Sequence, residues 1–396
     1  MGAAGTSPAP GIYLHVPFCS AICPYCDFAV TTPGGGRRQR YIPALLAEIE
    51  LASGDPWRGA ATPPPADTVY FGGGTPSLLE PEELSEILAA MQAQLDLVDE
   101  PWLGLEANPE DVTAARLDAW RRLGVRFLSL GVQSFNGDSL AFLGRRHTAA
   151  EARTAVETAV AAGIETVSVD LIYGLPDQGL ERWREQLESA VSLAPQHLSC
   201  YQLTVEPHTP FAVMRRRGRL RELPEADQAG LFHLTHAWLA EHGFEPYEVS
   251  NFATARSHRS RHNTKYWRHV SYLGLGPSAH SFDGHRRWWN HRQLGAWATV
   301  LGQGRRPVED EESLAPEQLA LEELMLSLRT VDGIELDSFR QRHGIDLVAG
   351  NQAICAALQS DGLLLVEHGR LRATTTGLSV ADGMAREFEL APASAV

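Results

Sequence analysis

Apolar positions along this 396-residue chain gather into short β-branched runs separated by longer stretches of helical period. The runs fall at Gly11–Val16, Asp67–Phe71, Leu103–Ala107, Arg126–Val132, Thr166–Tyr173 and His197–Val205. Helical patterns follow at Gln39–Ala52, Pro81–Leu95, Thr113–Leu123, Gly137–Leu143 with Ala149–Ala162, Leu180–Ser192 and Glu225–His242. Six strand–helix units in succession predict an α/β fold with a parallel sheet and right-handed crossovers. Residues 1–10 read as a disordered Ala/Gly/Pro lead, and Gly54–Pro65 as a surface insertion before the second strand.

The pattern changes near Asp310. Pro316–Arg329, Leu336–His343 and Val348–Ser360 are amphipathic helices, and Gly362–Glu367 with Arg370–Thr374 form a hairpin turning at His368-Gly369. Helices followed by a two-stranded wing predict a small winged-helix-like α+β domain. The resulting division is a main domain over 11–242, a His/Trp-rich connecting segment over 243–305, a C-terminal domain over 306–385 and a tail over 386–396, loose from Ala391.

Polar residues cluster just after the predicted strands. The first strand leads into a cysteine loop, the second into Gly72-Gly73-Gly74-Thr75-Pro76, and the third ends at Glu106 and Asn108. Gln133 ends the fourth, Asp170 with Tyr173-Gly174 the fifth, and Thr204 with Glu206 the sixth. In a parallel barrel these C-terminal strand ends form the active face. Each residue alone is as readily a loop group; six strands delivering polar groups to one face is the informative coincidence.

The cysteine loop narrows the chemistry. Cys19, Cys23 and Cys26 lie within eight residues, and only Cys200 and Cys355 stand elsewhere, read as buried inert thiols. Three thiolates on one loop suit iron–sulfur or zinc rather than magnesium or calcium. A structural zinc site closes with four protein ligands, and ordinary ferredoxins use four cysteines per cluster. Three cysteines therefore point to a cluster with one iron left open, or to zinc completed by His15. Nearby groups suit a bound ligand: glycines permit close backbone approach, Glu106 and Asp170 suit an ammonium or ribose hydroxyls, and Arg145 suits a carboxylate. S-adenosylmethionine carries all of these.

Composition excludes several classes. A net charge of −15 opposes general nucleic-acid binding. No stretch reaches the ~18–20 apolar residues of a membrane helix, and no basic start precedes an apolar signal core. Few cysteines in odd number fit a reducing, cytoplasmic setting.

Cys19-x3-Cys23-x2-Cys26 resembles the radical S-adenosylmethionine (SAM) signature. Tyr13–Cys19, Phe71–Pro76, Gly131–Asn136 and Asp170–Pro176 are similar to the oxygen-independent coproporphyrinogen III oxidase family over residues 11–385. The resemblance implies a partial six-stranded (β/α)6 radical SAM barrel, with Cys19, Cys23 and Cys26 holding a [4Fe-4S] cluster. It places the S-adenosylmethionine contacts on Tyr13, Tyr25, Gly73, Gly74, Thr75, Glu106, Gln133, Arg145, Asp170 and Thr204. It assigns no catalytic residue.

Two departures separate the chain from the oxidase pattern. Phe28 stands where the oxidase has a fourth cysteine, and about ten residues precede Gly11 where the oxidase has a longer extension. Residues 258–291 hold six of the 15 histidines, interleaved with Trp267, Trp288, Trp289 and several arginines. Imidazole ligates haem iron, aromatics pack on porphyrins and guanidinium groups suit propionates. His262-Asn263-Thr264-Lys265-Tyr266-Trp267 resembles the H-N-x-x-Y-W motif of HemW-type haem chaperones, which implies haem on His262. The alternative for each of these histidines is hydrogen-bonded packing at a domain junction. The expected partners are haem, a haem-accepting protein that could lie near a membrane, and a one-electron donor if the cluster is redox-active. The expected state is a monomer or cluster-linked dimer without membrane anchor or nucleic acid. The competing reading is oxidative decarboxylation of coproporphyrinogen III to protoporphyrinogen IX.

Overall fold

The computed structural model describes residues 8–54 and 64–390. Part of the expected lead, part of the Gly54–Pro65 insertion and the segment from Ala391 lie outside the described residues. Six strands run in chain order: β1 (Gly11–Val16), β2 (Ala66–Gly73), β3 (Leu97–Ala107), β4 (Val125–Gln133), β5 (Thr166–Tyr173) and β6 (His197–Gln202). Each pairs in parallel with the next, in register Tyr13↔Tyr70, Tyr70↔Gly104, Leu105↔Leu128, Leu128↔Val167 and Val169↔Leu198. β5 is buried almost end to end, as expected of a parallel strand covered on both faces.

Helix boundaries follow local chemistry. Thr148 and Glu151 form a reciprocal capping box at the helix Ala149–Ala161, and Thr113 and Thr209 cap the helices after them. Trp120 and Trp183, both fully buried, seat their helices on the sheet among Val, Ile and Leu of the strands.

The sheet does not stop at six strands. β7 (Glu245–Pro246) and β8 (Asn251–Ala253) continue it antiparallel beyond β6. On the other edge β9 (Tyr272–Leu275) pairs parallel with β1, and β10 (His280–Phe282), β11 (Arg286–Asn290) and β12 (Val308–Ser313) follow antiparallel. The sequence reading of 243–305 as a connector is corrected: both ends of that segment extend the main sheet to twelve strands among the described residues. The domain boundary at 306 moves too, because Val308–Ser313 pairs with β11. Buried Glu48 secures this edge, accepting from the Gly276 amide, Asn290 and the Trp297 indole.

The C-terminal unit packs Leu324, Leu328, Phe339, Leu371 and Met384 with Phe232 from the helix Glu225–Glu241. Its sheet has three strands, β13 (Ile334–Glu335), β14 (Leu364–Glu367) and β15 (Arg370–Ala373), with β15 central. The expected two-stranded wing therefore has a third strand. The expected helix Val348–Ser360 is broken at Asn351, whose side-chain amide donates to Leu347 O and Glu389 O. That bond, with Phe388 buried, holds residues the sequence reading assigned to a tail. Arg287 clamps Glu322 through two hydrogen bonds of 3.1 and 2.6 Å, joining the unit to the main sheet. No helix of the described residues is long and apolar enough to cross a membrane.

Candidate functional site

The strand ends deliver one connected network. Strand β1 ends at Val16, and the chain turns through the half-buried cysteines Cys19, Cys23 and Cys26. The Gly74 amide donates to Val16 O at 2.8 Å, so the glycine turn after β2 lies directly against this loop. A Cβ at Gly74 would stand 2.6 Å from Phe18 O and 3.1 Å from the Cys19 sulfur. Gly73 takes φ +109°, and its added Cβ would meet the His15 ring at 2.5 Å. Only glycine fits either place.

Three side chains then link sulfur to the sheet. Thr75 Oγ1 donates to Cys19 Sγ at 3.6 Å, and Asn108 Nδ2 donates to Thr75 Oγ1 at 3.2 Å. Arg145 donates to Cys23 Sγ at 3.5 Å, to Asn108 Oδ1 at 2.6 Å and to Gly131 O at 2.8 Å. Its Nε is buried without a partner among the described residues, a donor left for an incoming group. Burial pushes the Cys19 thiol up to about 11, opposed by the Thr75 hydroxyl and the Arg145 charge. Burial likewise raises Cys26.

Inside the strands stands a carboxylate pair. Glu106 accepts from the Gly73 amide at 3.1 Å and from Tyr70 OH at 3.2 Å. Asp170 accepts from Ser129 Oγ at 2.9 Å and from Ser168 Oγ at 3.3 Å. Burial first, and the Asp170 charge second, lift Glu106 to about 7; burial also raises Asp170. A cavity of about 150 Å³ lies between these carboxylates, lined also by Tyr13, Tyr70 and Tyr266. A second, of about 330 Å³, opens from Glu106 and Gly73 past His15 to Phe28, His280 and Arg292.

Comparison with known proteins decides the family. The radical SAM superfamily matches residues 13–190, and the HemN C-terminal domain matches 314–380. The chain is 36% identical over 389 residues to the heme chaperone HemW of Mycobacterium tuberculosis H37Rv, covering 96% of each. It is 33% identical to HemW of Bacillus subtilis, covering 89% of this chain and 92% of that one. The chain belongs to the HemW family. Its fold matches Escherichia coli coproporphyrinogen III oxidase HemN at a TM-score of 0.80 and 21% identity, covering 96% of this chain and 90% of that one. Membership of the radical SAM superfamily implies a [4Fe-4S] cluster and S-adenosylmethionine.

The HemW-family chain fits such a cluster: three thiols on one loop, a glycine cradle that any Cβ would fill, and an orphaned guanidinium nitrogen beside Cys23. Among the described residues no three His, Cys, Asp or Glu are gathered to hold a single metal ion. A cluster asks less convergence, since each thiolate binds a different iron. His15, the fourth ligand of the zinc alternative, has its Nε2 on Ala29 O at 2.9 Å and its Nδ1 on Tyr13 OH at 3.2 Å. It pins the returning cysteine loop to β1 and does not complete a zinc site.

Most residues named from sequence converge here. Tyr13, Gly73, Gly74, Thr75, Glu106 and Arg145 join the contacts above. Gln133 ends β4 in a left-handed conformation, φ +67°, close to Gly131. Tyr25 packs on Phe211 with ring centroids 6.3 Å apart, beside the cysteine loop. Thr204 lies exposed beyond β6 and is not brought into the network.

His262 departs furthest from expectation. It is fully buried, with Nδ1 on Thr68 Oγ1 at 3.0 Å and Nε2 on Tyr266 OH at 2.8 Å. It stacks on Tyr70 at 5.3 Å and faces the N-terminal start of β1, where a Cβ on Gly11 would touch it at 3.0 Å. Both ring nitrogens are engaged at the end of the strands away from the cysteines, so the ring offers no ligand to iron in this structure. The arginines of that segment are matched as well: Arg261 to Asp67, Arg286 to Glu311 and Arg287 to Glu322. Asn108, expected at the strand-end face but given no ligand role, holds Arg145; Ser129 and Tyr70, which hold Asp170 and Glu106, were missing from the expected site, and their places inside the strands were the available signal.

Proposed function

We propose that this chain is a haem chaperone: it binds a [4Fe-4S] cluster on Cys19, Cys23 and Cys26, S-adenosylmethionine beside it, and haem, which it delivers to an acceptor haem protein. When bound, the cluster and S-adenosylmethionine supply one-electron redox chemistry. Arg145, fixed by Asn108 and Gly131 O, would meet a carboxylate with its free Nε. Glu106, ionised above about 7, would meet an ammonium, and Asp170 a ribose hydroxyl. Tyr13, Tyr25, Gly73, Gly74, Thr75 and Gln133 would shape the same ligand site, with Thr204 at its margin. We read the six parallel strands as a partial barrel and the C-terminal unit as a winged-helix-like lid. The expected setting is cytoplasmic.

The observation that carries the reading is Phe28. It follows Cys26 by two positions, where the oxidase pattern places a further cysteine, and the residue is 67% exposed at the mouth. That favours carriage over coproporphyrinogen decarboxylation, as does membership of a family whose curated relatives are named heme chaperones. Anaerobic reconstitution with iron and sulfide tests the cluster. The expected result is a brown protein whose iron and sulfide are lost in Cys19→Ser, Cys23→Ser and Cys26→Ser. A colourless protein retaining zinc would overturn it.

A further inference from the structure

We infer that haem is held outside the barrel, in a groove between the cysteine loop and the helices Arg37–Ala52 and Leu294–Leu301, with its propionates on Arg37, Arg40 and Arg292. This rests on the haem reading above and adds the site. Size is the first argument. The barrel cavity of about 150 Å³ and the mouth of about 330 Å³ are too small for a tetrapyrrole together with S-adenosylmethionine. The open groove offers about 1120 Å³, somewhat above the roughly 300–1,000 Å³ typical of small-molecule sites.

Its walls suit the two halves of haem. Ala44, Ala47, Leu294 and Ala298 line an apolar wall for the ring. Phe28, an exposed residue, stands at the rim shared with the mouth, where its ring could stack. Charge is the second argument. In a chain of net charge −15, Arg40 is exposed and meets no carboxylate among the described residues, and Arg37 donates to the carbonyls of Thr32 and Gly34, at 3.2 Å each. Arg292 donates to Asp27 O at 2.6 Å and makes only a long, exposed ion pair of 3.8 Å with the Asp27 carboxylate, which a propionate could replace. Two propionates would answer these guanidiniums with bidentate geometry.

Among the described residues no histidine, cysteine, methionine or tyrosine lines the groove. The ring is therefore held by its faces and propionates, leaving the iron for an acceptor's own ligand. Binding should then not depend on the metal.

The test titrates the cluster-reconstituted full chain with haemin and, separately, with iron-free protoporphyrin IX, followed by tryptophan quenching. The expected result is similar affinity for both. The paired change Arg37→Gln with Arg40→Gln should weaken both by at least about tenfold, the scale of one lost charge-assisted contact. Ala298→Trp, which fills the wall without touching charge, should do the same. Unchanged binding in both variants, or haemin binding without protoporphyrin binding, would overturn the groove while leaving the chaperone reading intact. Failure of the unaltered chain to bind either would overturn the chaperone reading and the groove with it.

Discussion

Replacing His262 by alanine separates a histidine that builds the parallel sheet's core from one that waits for iron. The imidazole is fully buried and hydrogen-bonded at both nitrogens, to Thr68 and Tyr266. Truncation strands both hydroxyls, at about 1–3 kcal/mol for each unsatisfied buried group, and leaves a void under Tyr70. With partial collapse of that void, the loss at pH 7.5 is about 3–5 kcal/mol. At roughly 2.1 cal/mol/K per residue, this lowers Tm by about 4–6 °C for one transition. Burial holds the native imidazole down to about 3, against about 6.5 in the unfolded chain. Below 6.5 the unfolded state binds a proton that the native state refuses, so the parent chain loses stability on acidification. The alanine variant has no such loss, and its deficit shrinks by about 2 kcal/mol at pH 5. Urea unfolding of the metal-free chain at both pH values measures this directly. Equal stability at pH 7.5, or a deficit indifferent to pH, would refute the structural role, the more so if haem binding alone were lost.

Further outcomes follow from the site. Glu106→Gln should abolish a rise in S-adenosylmethionine affinity as pH increases through about 7, the range in which Glu106 ionises; calorimetry at pH 6 and 8 checks it. Asn108→Ala, which frees Arg145 from a 2.6 Å contact, should weaken that ligand roughly tenfold while iron content stays constant. Gly73→Ala cannot be accommodated at φ +109° against the His15 ring. It should lower Tm and the yield of reconstituted cluster together, whereas Gly304→Ala, at a glycine with open space beside it, should spare the cluster.

The six parallel strands were legible because β-branched runs and amphipathic helices alternate with little interruption, and the cysteines because their spacing is dense. The outer strands were not. β10 is three residues long, and β12 reads Val-Glu-Asp-Glu-Glu-Ser, exposed and acidic along most of its length. It pairs because Glu311 and Glu312 face Arg286 and Arg287 of β11, a complementarity that no apolar period reveals. The surroundings of His262 were hidden for a different reason. Its company of tryptophans and arginines looks like a haem site along the chain, yet its partner Thr68 lies 194 positions away. Polar groups at strand ends, by contrast, converge whatever their sequence distance, because a parallel sheet brings every such end to one face.

The central claim is that this cluster-bearing chain carries haem rather than making its precursor. The most direct test loads the reconstituted chain with haem, adds a haem-free haem protein, and follows the Soret band of the acceptor. Coproporphyrinogen III, S-adenosylmethionine and a reductant are supplied to the same preparation. The expected result is haem transfer without porphyrinogen conversion. Robust protoporphyrinogen formation with no transfer would contradict it.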